Sequence, residues 1–161
     1  MNRFWKTVLL TGLFVGVTDL VTAYVSQFIK TGKYADKMLQ YIAGGALGLE
    51  TSMKGGNWVA LLGLFFHFFI AYAYTLFFFW IFPRVKFLSF NKYLIGMLYA
   101  VFVALTMNQV VLRLTPLPVN PLNLAYAVTG WITLGVVLGI PIAYNAYKYY
   151  GVDSPPKQLT K

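Results

Sequence analysis

Residues 58–82 read WVALLGLFFHFFIAYAYTLFFFWIF, a run with no Asp, Glu, Lys or Arg, and the rest of the chain is organised around it. At ~1.5 Å per residue a helix of this length exceeds a ~30 Å hydrocarbon core. Trp58 at one end, and Trp80 with Arg84 at the other, are residue types that anchor a helix at the two interfaces. The run therefore reads as a membrane-spanning helix. Steps of three and four place Ala60, Gly63, His67, Ala71 and Tyr74 on a narrow stripe of small and polar residues. Phe65, Phe66, Phe68, Phe69, Phe77, Phe78 and Phe79 cover most of the remaining surface. The bulky side is expected to face lipid and the stripe a neighbouring helix, with the chain's one histidine at its centre.

Composition agrees. The chain has 161 residues, 59% of them hydrophobic and 11% charged, with a mean hydropathy of +0.66, which places it outside the soluble class and within the size of one domain. It has no cysteine, so disulfides, thiolate metal sites and thiol catalysis are excluded. The net charge of +9 does not point to nucleic acid, because the Lys and Arg residues gather at segment ends, where they set orientation and meet lipid headgroups.

Three further apolar segments follow the same pattern. The first, about residues 4–29, is longer than a signal-peptide core, contains Asp19 and precedes other spans, so it is expected to be an uncleaved helix. Gly12, Gly16, Asp19, Ala23 and Ser26 fall on one of its faces. The third, about 93–113, repeats Gly96, Ala100, Ala104 and Asn108 every four residues. The fourth, about 122–147, holds Gly130, Gly135 and Gly139, and Pro141 predicts a kink near Gly139. Between the first two spans, residues 30–56 carry lysines around a short apolar centre, Met38 to Leu47, that is too short to cross. This centre is expected to form a helix lying at the interface or re-entering against the bundle. Residues 151–161 form a polar tail. The fold class is thus an all-α membrane protein, a single domain over residues 1–150 with four transmembrane helices plus a short interfacial helix in the first extracytoplasmic connection. The amino terminus, the second loop and the tail hold eight Lys and Arg against five for the other two loops, so both termini are expected in the cytoplasm.

Catalytic patterns are nearly absent. Ser89-x-x-Lys92 and Lys30-Thr31-Gly32 match fragments of a β-lactamase-type signature but lie at span ends without its third element. One histidine and four acidic residues build no familiar hydrolytic or metal site, so no enzyme activity, metal or cofactor is expected. The remaining candidates are polar or small residues at membrane depth. Counting residues inward from the outer surface brings Asp19 and His67 to one level near the bilayer centre, with Thr133 close to it. These three are expected to form a polar centre in which Asp19 meets His67, serving either as a hydrogen bond between helices or in passage of protons, ions or solutes. Asn108, Gln109 and Arg113 are candidates for an entrance or are ordinary boundary residues. Gly12, Gly16, Gly63, Gly96, Gly135 and Gly139 are candidate helix-packing positions, and the Gly12-x-x-x-Gly16 pair suits packing within the bundle or a homodimer.

His67 in a spanning helix, Tyr74, Phe82-Pro83-Arg84-Val85-Lys86, Gly96 in the next helix and the Leu114-Thr115-Pro116-Leu117-Pro118 connection together resemble the YagU-like family of small bacterial inner-membrane proteins. The resemblance covers roughly residues 63–150 and implies a bacterial inner-membrane location. It carries no catalytic or binding residues. Expected partners are the lipid bilayer and either a second copy of the chain or another membrane protein, in an accessory or assembly role, with permeation by an oligomer as the alternative. Nucleic acid is not expected.

Overall fold

The computed structural model describes residues 2–118 and 124–152, apart from the side chains of residues 125 and 126. The described chain is all-helical. Helix α1 (Arg3–Thr31) opens under an Asn2 cap whose side chain accepts from the Phe4 amide, and it stops at Gly32, whose φ of 66° lies in the left-handed region. Helices α2 (Met38–Leu47) and α3 (Leu49–Lys54) form a short hairpin that turns at Gly48, with φ of 80°. Helix α4 (Asn57–Ile81) contains the deciding stretch, and two 3₁₀ turns follow it. Helix α5 (Lys92–Thr106), capped by Asn91, continues through a π-turn at Met107–Val111 and a 3₁₀ turn at Leu112–Leu114. Helix α6 (Leu124–Leu134), a π-turn at Gly135–Gly139 and helix α7 (Ile140–Tyr150) make up the last span. Four helical runs are thus long and apolar enough to cross a membrane.

The spans alternate in direction, and both ends of the bundle's chain meet: Phe4 packs edge-on against Phe79 and Tyr149. The core lies toward this end. Val15, Phe78, Phe79 and Ile142 are entirely inaccessible there, and Ile95 nearly so, whereas no residue of α1 beyond Gly16 is buried. Two phenylalanines expected to face lipid, Phe78 and Phe79, are therefore core residues. The end of α4 is covered on both flanks, Phe78 by Tyr99 of α5 at 4.6 Å and Phe79 by rings from α1 and α7. Phe65 and Phe69, at 60% and 62% exposure, do face outward.

Close contacts occur where side chains are missing. A Cβ on Gly12 would run into the ring of Tyr72, and one on Gly16 would stand 2.6 Å from that of Phe68, so this pair packs inside the bundle against α4. A Cβ on Gly96 would meet Ile140 Cα at 2.7 Å, and one on Gly139 would meet the Gly96 carbonyl carbon at 2.8 Å, so α5 crosses the last span backbone against backbone. Gly135 receives Met97 in the same crossing. Gly63 does the same for α2, since its absent Cβ leaves room for the Leu39 backbone. Tyr41, Ile42, Gly45 and Ala46 of α2 then share a groove with Phe66, Phe69 and Ile70 of α4, so α2 runs alongside the first half of α4.

The expected kink is a π-turn. Pro141 has no N–H for the carbonyl four residues back, and the chain widens so that the Ile140 amide bonds the Gly135 carbonyl. The tail beyond Val152 and the start of the fourth span before Leu124 lie outside the described residues.

Candidate functional site

The polar groups at membrane depth sit where α1, α4 and the last span approach one another. His67 faces α1, and its Nε2 lies 2.8 Å from the Gly16 carbonyl oxygen. A carbonyl only accepts, so Nε2 is the nitrogen that donates. Gly16 makes this approach feasible, because no side chain shields its carbonyl from α4.

The expected contact between Asp19 and His67 is not formed. Asp19 is within electrostatic reach of His67, but no hydrogen bond or ion pair joins them, and among the described residues Asp19 has no hydrogen-bond partner at all. Helix register explains the difference. Gly12 lies against Tyr72 and Gly16 against Phe68, pairs that both sum to 84, so the residue opposite Asp19 is near 65 and the one opposite His67 near 17. Counting from assumed helix ends placed the two at one level. The actual helices begin and end one or two residues away from those points, at Thr31 and Asn57, and the sliding of α4 on α1 is fixed by the Gly12 and Gly16 contacts. Thr133 does not join the centre either. Its hydroxyl donates to the Thr129 carbonyl of its own helix at 2.9 Å.

The polar contacts that do cross between helices come largely from residues that the sequence left unmarked. Thr18 shares its one hydroxyl proton between carbonyls of its own helix, Phe14 at 2.9 Å and Val15 at 3.1 Å, and the Val137 carbonyl of the last span at 3.1 Å. Val137 is the residue whose carbonyl Pro141 cannot serve, so a hydroxyl from α1 supplies the donor that the proline lacks. Tyr74 and Thr106 meet oxygen to oxygen at 2.7 Å, and the Tyr99 hydroxyl donates to the Tyr74 carbonyl at 2.6 Å, tying α4 to α5. Near the termini, the Tyr147 and Tyr150 hydroxyls donate to the carbonyls of Leu88 and Phe79, each at 2.7 Å. Thr18 lies about a third of a turn away from the Gly12, Gly16 and Asp19 face of α1, so the small-residue pattern did not mark it. Its partner depends on the proline 123 positions later, which no local pattern reveals.

The entrance candidates are at the periphery. Asn108, Gln109 and Arg113 are exposed, and Asn108 donates to the Ala104 carbonyl of its own helix at 2.8 Å. Among the described residues no three His, Asp or Glu side chains gather as metal ligands would.

Fold and polar contacts together define a four-span helical membrane protein in which His67, Thr18, Tyr74 and Tyr99 bond helix to helix. Comparison with protein-family models, with curated proteins and with solved structures gives no match to this chain.

Proposed function

We propose that this protein is an accessory or assembly component of the bacterial inner membrane, without enzymatic activity, acting through contacts of its helix faces with another membrane protein. The observation that carries the reading is where the intramembrane polar groups point. His67 is engaged by the Gly16 carbonyl, Thr18 by Val137, and Tyr74 by Thr106, while Val15, Phe78, Phe79 and Ile142 are fully buried between the spans toward the end that holds the termini. A proton relay uses ionisable groups free to exchange protons along a path, and His67, Thr18 and Tyr74 serve here as fasteners between packed helices. The resemblance of residues 63–150 to the YagU-like family agrees with the inner-membrane location, and the eight-to-five bias of basic residues supports cytoplasmic termini.

Permeation of protons, ions or small solutes by an oligomer is the second reading, and Asp19, without a hydrogen-bond partner among the described residues, is the observation that favours it. The two readings separate experimentally. A photoreactive residue at Val17 or Val21, on the exposed face of α1, is expected to give one discrete adduct with another membrane protein in intact membranes. A chain that never cross-links to a second protein from either position contradicts the accessory role. Orientation is tested by single cysteines at Ser89, Val119 and Lys157, the last two outside the described residues, and only Val119 is expected to react from outside the cell.

A further inference from the structure

Where α1 begins and α7 ends, the two helices leave a groove of about 340 Å³ between them. Arg3 and Lys148 line its mouth, Thr7, Thr11 and Asn145 its walls, and Leu10 and Phe14 its apolar foot. Along α1 these positions lie on one face, and the eleven steps from Arg3 to Phe14 cover ~17 Å at ~1.5 Å each. The groove therefore passes from cationic through hydroxyl-bearing to apolar along the helix axis, the order of groups in a phospholipid from its phosphate to its acyl chain.

Two further observations point to an occupant. Neither cation has a carboxylate partner among the described residues, where the one ion pair is Lys54 with Glu50, and the Arg3 guanidinium lies 5.8 Å above the Tyr149 ring with its N–H groups left for an anion. Thr11 is the second. Seven threonines of the spans, Thr7, Thr18, Thr22, Thr31, Thr75, Thr106 and Thr133, donate to the carbonyl four residues back. Thr11 does not. It is only 3% exposed, its hydroxyl has no hydrogen-bond partner among the described residues, and the small surface it keeps belongs to this groove. A hydroxyl that opens only into this groove and makes no bond to its own helix is left to donate to a ligand acceptor there.

We propose that this groove binds one anionic phospholipid, with Arg3 and Lys148 on the phosphodiester, the Thr11 hydroxyl donating to a lipid oxygen, and an acyl chain against Leu10 and Phe14. The site does not depend on an accessory role for the protein. Free phosphate would satisfy the two cations but leave Leu10 and Phe14 unused, so a lipid is the occupant that fits the whole groove. The test is native mass spectrometry of the detergent-solubilised full chain titrated with dioctanoyl phosphatidylglycerol, dioctanoyl phosphatidylcholine or inorganic phosphate. Phosphatidylglycerol is expected to bind tightest, with one high-affinity event. R3Q/K148Q is expected to weaken that event by about tenfold or more, and T11V, which keeps the side-chain shape, by about threefold to tenfold. K6Q/K86Q removes the same charge from exposed positions outside the groove and should leave the event unchanged. Equal weakening by K6Q/K86Q and R3Q/K148Q, equal binding of phosphatidylcholine, or binding of inorganic phosphate as tight as that of phosphatidylglycerol would each overturn the proposal. T11V decides the matter if R3Q/K148Q fails to fold, since T11V binding identical to the native chain also overturns it.

Discussion

Alanine at Gly139 should separate two spans that now touch backbone to backbone. In an exposed helix position the change from Gly to Ala gains ~0.8–1 kcal/mol of helix propensity, so any loss must come from packing. The new Cβ would stand 2.8 Å from the Gly96 carbonyl carbon and 3.1 Å from Ala100 Cβ, against an ordinary carbon contact of about 3.5–4.0 Å. The atoms it meets are backbone or a methyl fixed on a helix, which cannot rotate away. The helices must part by roughly 1 Å, and Val103, Leu138 and Ile142 lose dispersion contact as they do. Overpacking costs typically ~1–3 kcal/mol, and with rigid atoms on both sides the upper end applies, so a net loss of ~2 kcal/mol is expected after the propensity gain. At ~2–4 °C per kcal/mol for a chain of this size, that is a fall of ~4–8 °C in Tm. The internal control is Gly130 of the same span, which is exposed and where a Cβ would meet nothing within 4 Å, so G130A should melt at or above the native temperature. Thermal unfolding of both variants in one detergent makes the comparison. G139A melting together with G130A would refute the backbone crossing and the packing argument built on it.

Further consequences follow from the same contacts. H67F should lose ~0.6–1.7 kcal/mol as the bond to the Gly16 carbonyl disappears, whereas D19N should leave the melting temperature nearly unchanged because Asp19 holds no hydrogen bond; a larger loss for D19N than for H67F would restore the direct pair. T18V should cost ~0.5–1 kcal/mol in the native chain and less when combined with P141A, since the alanine brings back an amide donor; strict additivity of the two changes would show that Thr18 does not serve the proline's unpaired carbonyl. G63A places a Cβ 2.7 Å from the Leu39 carbonyl carbon and should displace α2, so amide exchange across Met38–Leu47 should rise while the four spans keep their protection; unchanged exchange there would mean that α2 is held elsewhere.

The four spans were legible because length and missing charge decide them, and neither depends on what packs where. The glycine faces were legible for a related reason: Gly12, Gly16, Gly96 and Gly139 recur at helical spacing, and their role needs only a neighbour. The kink was visible in Pro141, although its form, a π-turn that begins at Gly135, depends on the carbonyl that Thr18 reaches from α1. What stayed hidden is set by register between helices. A slip of two residues moves His67 from Asp19 to the Gly16 carbonyl, and no feature of either helix alone fixes that slip. Phe78 and Phe79 were hidden for a different reason. Phenylalanine suits lipid and core equally, so hydrophobicity cannot tell a face covered by Tyr99 and Tyr150 from one covered by acyl chains.

The central claim is that the intramembrane polar groups fasten helices and do not carry charge across the membrane. Proton flux into proteoliposomes, read with an enclosed pH-sensitive dye under an imposed pH gradient, addresses it most directly. The account predicts the same leak for vesicles containing the native chain, H67F or D19N as for protein-free vesicles. A flux well above the protein-free leak that D19N or H67F abolishes would contradict it.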